Sequence, residues 1–275
     1  MDTYSLSAQL ASKVVTRAFS TSFSSAITLF SKDIQQDIYN IYGLVRVADE
    51  VVDSYQGAEA AGILDALEAE VYATLSRGFS ANVIVHAFCL TAAKFSVNQQ
   101  LIEPFFASMR MDLTKKRFNA KEYKIYIYGS AEVVGLMCLK VFTQGNDADY
   151  KKLTPGACAL GAAFQKVNFL RDIKDDYQAR GRYYFPAGSY EEFGEVEKAA
   201  IILDIQKDFI AAQAAITNLP DNSRQATQLS YDYYHQLLTT LQKTPAKEIR
   251  NRRIRVSRAV KARLLLKSKA KRYAS

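Results

Sequence analysis

The feature that most constrains the fold is a helical stretch, residues 161–186, that is largely apolar and becomes acidic just before it ends. At 100° per residue, one polar stripe runs along this predicted helix. The stripe consists of Gly161, Gln165, Asn168, Asp172 and Asp176. Carboxylates at the C-terminal end of a helix oppose its macrodipole, which costs roughly 0.3 to 1 kcal/mol each. The pattern therefore predicts that cationic groups lie beside this helix end.

The same pattern occurs in an earlier stretch, residues 38–57. Asp49 and Asp53 lie on the side of the predicted helix that carries Val45, so they continue a stripe that faces the core. Gly57 is predicted to stop this helix. An acidic pair on a solvated surface would lie on the opposite side, which is the usual position for such pairs. Because two helix ends share the pattern, we interpret both as functional.

Length and composition favour a single all-α domain. The chain has 275 residues, of which 49% are hydrophobic, and this is enough to fill one core. Five prolines punctuate the helices, and Thr154-Pro155 and Thr244-Pro245 are each predicted to begin a helix with threonine as N-cap. No signal peptide is recognisable, and no apolar run reaches the roughly 20 residues that span a bilayer. The sequence thus predicts one cytoplasmic domain, residues 1–275, either soluble or peripheral on the inner membrane face.

Cysteine and histidine are too few for most transition-metal sites. The cysteines, Cys89, Cys138 and Cys158, occur singly in apolar surroundings, as reduced core thiols do in cytosolic proteins. The chain has only two histidines. A bound metal is therefore expected to be a hard cation held by oxygen atoms.

The formal net charge of +8 is distributed unevenly. Residues 247–275 contain twelve lysines and arginines and one acid, a net +11, which leaves −3 for the rest of the chain. A solvated helix is the ordinary explanation for such a segment. The alternatives are contact with an anionic membrane surface, with substrate phosphates, or with nucleic acid. Nucleic acid is disfavoured because the segment lacks interleaved aromatic residues and a binding motif.

Two apolar helical stretches carry small residues on one face. They are residues 123–142, with Gly129, Ala131 and Gly135, and residues 154–178, with Gly156, Ala157, Ala159 and Gly161. A glycine inside a helix costs about 1 kcal/mol relative to alanine, so it usually marks the close approach of another element. Tight helix packing is the common explanation. The alternative is that the two small faces flank a long, narrow, apolar cavity.

The two acidic helix ends indicate a particular chemistry. Four carboxylates that converge would repel one another strongly unless cations were bound. Magnesium uses one or two carboxylates together with substrate phosphates. Two Asp-x-x-x-Asp ends that face each other therefore indicate a diphosphate bridged by magnesium. The cations placed to neutralise the diphosphate are Arg46, Arg171, Lys174, Arg180 and Arg182. Above an apolar cavity, this combination is typical of an enzyme that acts on prenyl diphosphates.

These motifs resemble those of the squalene and phytoene synthase family over nearly the full chain, and most closely those of its bacterial phytoene synthases. Three segments carry the resemblance, namely Tyr42-x-x-x-Arg46-x-x-Asp49-Glu50-Val51-Val52-Asp53, then Tyr128-Gly129-Ser130-Ala131-Glu132-Val133-Val134-Gly135, and finally Gln165-x-x-Asn168-x-x-Arg171-Asp172-x-x-x-Asp176 followed by Gly181-Arg182-x-Tyr184-Phe185-Pro186. The resemblance implies a single-domain, all-α isoprenoid synthase fold, a helical bundle around a central hydrophobic channel.

Carried over position by position, the resemblance also implies roles for individual residues. The implied metal ligands are Asp49, Asp53, Asn168, Asp172 and Asp176. The implied substrate-binding residues are Ser20, Ser22, Arg46, Gln165, Asn168, Arg171, Tyr234 and Arg253. The implied catalytic residues are Tyr42, Arg46, Asp49, Tyr128 and Asp172, with both tyrosines beside the reaction centre. Thr21 departs from the family, because many relatives have a lysine there.

The activity implied by the resemblance is that of a prenyltransferase in carotenoid biosynthesis. It would join two geranylgeranyl diphosphates head to head to phytoene, with Mg²⁺ or Mn²⁺ and without a nicotinamide cofactor. One alternative is a squalene or dehydrosqualene synthase that uses farnesyl diphosphate. Another is a non-catalytic helical module that binds membranes or partners through its basic C-terminal segment, with exposed, metal-free acidic positions. The expected partners are prenyl diphosphates and an anionic membrane surface, and no nucleic acid is expected.

Overall fold

The computed structural model describes residues 2–19, 21–55 and 57–274, without the side chains of residues 21–23 and 271–274. This part of the chain is helical and contains no β-strand. Its single extended pairing is an isolated bridge between Arg117 and Tyr183. The prediction of an all-α fold is confirmed.

The helices are, in order, α1 (Thr3–Phe19), α2 (Thr21–Ile27), α3 (Lys32–Asp53), α4 (Ala60–Arg77), α5 (Val83–Phe95), α6 (Gln99–Thr114), α7 (Ala120–Ile127), a π-helical turn (Tyr128–Glu132), α8 (Val133–Phe142), α9 (Asp147–Arg180), α10 (Glu195–Ile216), α11 (Asp221–Lys243), α12 (Ala246–Ile249) and α13 (Arg258–Ala274). The long helices α3 and α9 each end in one of the acidic pairs. They therefore determine where the carboxylates lie.

Helix α3 ends directly after its second aspartate. The cap residue Ser54 keeps a right-handed conformation, and its backbone N–H donates to the carbonyl of Glu50. The Ser54 hydroxyl also donates to the Glu50 carboxylate, at 2.6 Å. A right-handed cap does not require glycine. The prediction that Gly57 stops this helix is wrong, because the helix ends at Asp53.

Helix α9 begins earlier than the sequence predicts. The N-cap is Asn146, whose side chain accepts hydrogen bonds from two backbone N–H groups of the first turn, as N-cap residues do. Pro155 lies inside the helix, and the Thr154 hydroxyl donates to the carbonyl of Tyr150 at 2.8 Å. Thr154 therefore does not begin a helix, and that prediction is wrong.

The second threonine-proline pair also differs from its prediction. Thr244 is the C-cap of α11, and Pro245 is the N-cap of the short helix α12. The Thr244 hydroxyl donates backwards, to the carbonyl of Thr240 at 2.8 Å. The threonine thus terminates one helix, and the proline precedes the next.

One apolar segment is longer than the sequence analysis recognised. Ala120–Phe142, which joins α7, the π-helical turn and α8, is long and apolar enough to span a membrane by length and composition. In the folded chain, 61% of its most apolar window is buried. It packs against α6 and α9, so its burial is that of a core helix.

Two glycines allow this segment to approach its neighbours. A Cβ atom on Gly129 would lie 2.2 Å from the Pro104 carbonyl oxygen in α6. A Cβ atom on Gly161 in α9 would lie 2.7 Å from the Ala131 carbonyl oxygen. The backbones of α6, the π-helical turn and α9 are therefore in direct contact, which confirms the close approach that the glycines predict.

Candidate active site

A largely apolar cavity of about 370 Å³ lies between α3 and α9. Helix α3 lines it with Ile38, Tyr42, Val45, Arg46 and Asp49, and helix α9 lines it with Leu153, Gly156, Ala157, Leu160, Gly161, Phe164, Gln165 and Asn168. These positions recur every three or four residues, as one face of a helix does. Both helices follow the cavity in the same direction, and both are apolar at its start and polar at its end.

The apolar end of the cavity is closed by aromatic and aliphatic side chains. Phe30 and Phe142 stack with their ring centroids 5.1 Å apart. Both line the cavity together with Leu139, Leu153 and Leu219. From Leu153 to Asn168, fifteen residues of helix correspond to a length of about 22 Å. This length provides an extended path for a hydrocarbon chain.

The polar end of the cavity carries Arg46, Asp49, Gln165 and Asn168. The Oδ1 atom of Asn168 is buried and has no hydrogen-bond partner within the described residues. An unpartnered buried amide oxygen costs free energy unless a ligand or water satisfies it. Asn168 is thus an acceptor available to a ligand.

The α3 carboxylates are paired with arginines. Arg46 Nη1 lies 2.6 Å from Asp49 Oδ2, and the same guanidinium contacts Glu50 and lies 4.2 Å above the Phe19 ring. Asp53 is contacted by arginines from a different region, at the end of α9 and just after it. Arg180 Nε lies 3.1 Å and Arg182 Nη1 lies 2.8 Å from Asp53 Oδ1.

The α9 carboxylates have a similar set of partners. Asp172 Oδ1 accepts from Nε of the adjacent Arg171 at 2.8 Å and lies 2.7 Å from Nε of Arg253 in the C-terminal segment. Asp176 Oδ1 lies 3.3 Å from Arg180 Nη1. The predicted cations beside this helix end are therefore present.

Arg180 joins the two acidic ends. Its guanidinium contacts Asp53 of α3 and Asp176 of α9 at the same time. The two ends therefore meet at one place, although more than 120 residues separate them in the sequence.

Two of the four carboxylates resist ionisation. Burial, followed by the negative charge of Asp53, raises the pKa of Asp49 to about 6. Burial, followed by the charge of Asp172, raises the pKa of Asp176 to about 7. Mutual repulsion of this kind is what additional cations would relieve.

The acidic ends also suit a metal, although the described side chains form no group of three or more His, Cys, Asp or Glu residues arranged around one ion. Each of the four carboxylates instead pairs with one or more arginines. The donor set consists of carboxylate and amide oxygens, which are the ligands that magnesium prefers. Raised carboxylate pKa values and the unpartnered Asn168 oxygen fit a bound divalent cation.

The structure brings most of the predicted site residues together. Tyr42 and Tyr234 line the cavity, and Tyr234 stacks on Phe164 with ring centroids 4.0 Å apart. Arg171 and Arg253 both contact Asp172, as described above. The predicted Ser20 lies outside the described residues, as do the side chains of Ser22 and of Thr21.

Tyr128 is not brought to the cavity. It is 38% exposed, whereas Tyr126, which is 3% exposed, lines the cavity. The π-helical turn explains the difference, because its i to i+5 hydrogen bond, from Val133 N–H to Tyr128 carbonyl, adds a residue to the turn and rotates the side chains. Tyr128, which the resemblance places beside the reaction centre, is therefore not among the residues that line the cavity, and Tyr126 is.

Sequence reasoning missed Asp112. This aspartate is buried on α6 beside Tyr126, whose hydroxyl donates to Asp112 Oδ2 at 2.6 Å. Its signal was present in the sequence, because Asp112 follows Phe105 and Met109 at helical spacing on a buried face.

Comparisons with known proteins agree with this geometry. The family model for squalene/phytoene synthase matches residues 16–260. A chloroplastic phytoene synthase 3 of Zea mays is 32% identical over 184 residues, which are 66% of this chain and 43% of the relative. A 4,4′-diapophytoene synthase of Staphylococcus haemolyticus is 25% identical over 250 residues, covering 83% of this chain and 85% of the relative.

The fold agrees with a solved structure as well. A dehydrosqualene synthase in complex with ligand superimposes with a TM-score of 0.83 at 20% identity, covering 98% of both chains. The chain spans about half the length, 43 to 55%, of three plant phytoene synthases that it matches. Since the family model covers most of the chain, the protein belongs to the squalene/phytoene synthase family.

Proposed function

We propose that the protein joins two molecules of geranylgeranyl diphosphate head to head to form phytoene. One observation carries the proposal. Two acidic helix ends are joined by Arg180, and Asp49 of the α3 end lies at the polar end of a cavity that is otherwise largely apolar. A substrate with a diphosphate head and a hydrocarbon tail matches both parts of this site.

The proposed substrate orientation follows from the charges. Diphosphate groups would lie beside Arg46 and Arg171, with Arg253 approaching from the C-terminal segment. Arginine binds such anions through charge-assisted hydrogen bonds. The prenyl chains would extend between α3 and α9 towards the Phe30–Phe142 pair. Burial of each chain would contribute about 25 cal/mol per Å² of apolar surface.

The proposed reaction breaks one carbon–oxygen bond in each substrate. Departure of the first diphosphate leaves an allylic cation, which the double bond of the second substrate captures. Loss of one proton closes a cyclopropane ring and gives a cyclopropylcarbinyl diphosphate. Departure of the second diphosphate, rearrangement and loss of a second proton give phytoene. The products are one C40 hydrocarbon, two diphosphates and two protons, and no reductant is consumed.

A divalent cation, Mg²⁺ or Mn²⁺, would be held by Asp49, Asp53, Asn168, Asp172 and Asp176. When bound, it would supply positive charge that stabilises the departing diphosphate. The arginines of the site contribute charge of the same sign from fixed positions, which favours a state in which negative charge develops. The apolar wall excludes water, which would otherwise capture each carbocation.

A second candidate function is dehydrosqualene synthesis from farnesyl diphosphate. Two observations favour it. The diapophytoene synthase is matched over 85% of its length, whereas three plant phytoene synthases are matched over about half of theirs and a fourth over 74%. The superimposed dehydrosqualene synthase is covered almost completely. The two candidates share the site and differ in the length of the chain that the cavity holds.

A third part of the proposal concerns the membrane. Residues 247–275 carry a net charge of +11, and the proposed product is a hydrocarbon that does not dissolve in water. We propose that this segment holds a cytoplasmic protein on an anionic bilayer. Its charge is not wholly free for that role, because Arg253 contacts Asp172.

Product analysis tests the proposal. Purified protein is incubated with Mg²⁺ and radiolabelled geranylgeranyl or farnesyl diphosphate, without a reductant, and the hydrocarbons are separated by chromatography. We expect phytoene from the C20 substrate. A C30 product from the C15 substrate, with no reaction of the C20 substrate, would assign dehydrosqualene synthesis instead. No hydrocarbon from either substrate would contradict both candidates.

A further inference from the structure

Asp112 is the most enclosed carboxylate near the acidic ends. Its side chain is only 3% exposed, and both oxygens are engaged. Oδ2 accepts from the Tyr126 hydroxyl at 2.6 Å, and Oδ1 accepts from the Tyr184 hydroxyl at 2.8 Å. Tyr126 lines the cavity. Asp112 itself is not among the lining residues, so it acts through other groups.

A buried arginine stands between Asp112 and the α3 acidic end. Arg182 is 5% exposed, and its Nη1 atom lies 3.6 Å from Asp112 Oδ1 and 2.8 Å from Asp53 Oδ1. Its Nη2 atom donates to the carbonyl of Val52 at 3.1 Å. Arg182 is thus fixed to the end of α3 and has two aspartates within reach.

The charges of Asp112 and Arg182 affect how much of the negative charge of Asp53 is available to a bound cation. An ionised arginine in a buried site needs a counter-charge, because an unpaired buried charge costs several kcal/mol. When Asp53 binds a cation, less of its negative charge is available to Arg182. Asp112 is then the remaining carboxylate that can balance Arg182. If Asp112 were neutral, Arg182 would compete with the cation for Asp53.

We infer that Asp112 is a positioning residue that holds Arg182 and thereby releases Asp53 to bind the cation of the diphosphate site. The inference rests on the proposed function in one respect, since it takes Asp53 as a cation ligand. Asp112 also fixes the Tyr126 hydroxyl at the cavity wall. A purely structural role for Asp112 would affect folding stability and leave cation affinity unchanged.

The test substitutes Asp112→Asn, which keeps the shape and removes the charge. Cation affinity is measured by calorimetric titration of Mg²⁺ into protein with inorganic pyrophosphate, and by the Mg²⁺ concentration for half-maximal turnover. We expect the dissociation constant for Mg²⁺ and the half-maximal Mg²⁺ concentration each to rise about tenfold, the scale typical of residues that support metal ligands. Unchanged values would overturn the inference.

Asp37→Asn provides the matched control. Asp37 is also a buried carboxylate, and it accepts from the Thr91 hydroxyl at 2.8 Å and pairs with Lys94 at 2.9 Å. Its partners belong to α5 and none of them belongs to the acidic ends. We expect a lower melting temperature and unchanged Mg²⁺ dependence. A tenfold change in this control as well would overturn the inference, since loss of any buried carboxylate would then have the same effect.

A second comparison tests the same inference through Arg182. In an Arg182→Gln protein the competitor for Asp53 is absent, so adding Asp112→Asn should not change the affinity for Mg²⁺ with pyrophosphate. A further tenfold loss in the double variant would overturn the inference. Because pyrophosphate binding is measured without a prenyl substrate, failure of the proposed function would appear separately, as absence of hydrocarbon product from the wild-type protein.

Discussion

The two acidic helix ends are alike in sequence and differ in how the structure balances their charges. In α3 the first aspartate, Asp49, has the raised pKa, and the second, Asp53, has two arginines. In α9 the order is reversed. Asp172 has two arginines, and Asp176 has the raised pKa. Each end thus contains one aspartate that pairs with two arginines and one aspartate with a raised pKa.

The difference shows that the Asp-x-x-x-Asp spacing does not determine the ionisation of either aspartate. Burial and the charge of the neighbouring aspartate raise the pKa of Asp49 and of Asp176. The other two aspartates pair mostly with arginines from elsewhere in the chain. Arg180, the last residue of α9, and Arg182, just after it, pair with Asp53 at the α3 end. Arg253 of the C-terminal segment pairs with Asp172 at the α9 end. Periodicity predicts that the carboxylates face inwards. It cannot predict which arginine reaches which carboxylate, because that depends on how the helices pack.

The largest expected effect is loss of turnover when either end loses a carboxylate. Asp49→Asn and Asp172→Asn should each reduce product formation by more than about 100-fold, because each removes a proposed cation ligand. The measurement is hydrocarbon product per enzyme at saturating Mg²⁺. Asp65→Asn is the control, since Asp65 also pairs with an arginine, Arg110, but lies outside the site. Normal turnover in both site variants would refute the assignment of the acidic ends.

The next effect concerns the two aspartates of α9, whose substitution should change the free energy of unfolding of the metal-free protein in opposite directions. Asp172→Asn should lower the free energy of unfolding by about 1 to 3 kcal/mol, because it leaves Arg171 and Arg253 without their charged partner. Asp176→Asn should raise it at pH 8 by about 1 kcal/mol or more, because a pKa one unit above the usual value corresponds to about 1.4 kcal/mol. Urea unfolding in the presence of a chelator measures both.

The Asp176→Asn difference should also depend on pH. Because the folded-state pKa of Asp176 is raised to about 7, the wild-type carboxylate is charged and destabilising above that pH. It becomes protonated, and the fold gains stability, as the pH falls below 7. The advantage of the variant should therefore shrink between pH 8 and pH 5. An advantage that grows as the pH falls would show that the carboxylate is stabilised in its charged form.

A smaller effect concerns the cavity that the two helices share below their acidic ends. Ala157 lines the cavity, whereas the neighbouring Ala159, also a candidate from sequence, does not. Ala157→Phe should shift substrate preference from the C20 towards the C15 diphosphate, and Ala159→Phe should leave the ratio unchanged. Overpacking costs about 1 to 3 kcal/mol, so melting temperatures are compared as well. Equal product ratios in both variants would place the chain-length limit elsewhere.

The smallest effect concerns the C-terminal segment, which contacts the α9 end through Arg253. Deletion of residues 267–275 removes four basic residues, each worth up to about 1 kcal/mol near an anionic surface. The deletion should weaken binding to anionic vesicles at low salt, less so at high salt, and spare turnover. Arg253→Gln, a charge loss inside the site, should retain vesicle binding. Equal binding of the truncated and full chains would contradict the membrane proposal.

Much of the fold was predictable from local patterns. Period-3.6 stripes predicted the C-terminal ends of α3 and α9 to within a few residues, and the two acidic ends were recognised on these stripes. The predictions failed where tertiary packing outweighed a local signal. Pro155 is accommodated inside a 34-residue helix, although proline usually marks a helix start or end.

The candidate site was predictable in its acids and less so in its tyrosines. Asp49, Asp53, Asp172 and Asp176 lie on ordinary α-helix, where 100° per residue holds. Tyr126 precedes a π-helical turn and Tyr128 is its first residue, and 100° per residue does not hold across that turn. The resemblance to the family implied Tyr128, and the structure places Tyr126 at the cavity.

The claim that the two acidic ends form one diphosphate site is tested most directly by a double-mutant cycle. Calorimetry measures the binding of inorganic pyrophosphate with Mg²⁺ to the wild type, Asp53→Asn, Asp176→Asn and the double variant. A single shared site predicts a coupling free energy of at least about 1 kcal/mol between the two positions. Losses that add to within about 0.3 to 0.5 kcal/mol would mean that the two ends act independently, and would contradict the claim.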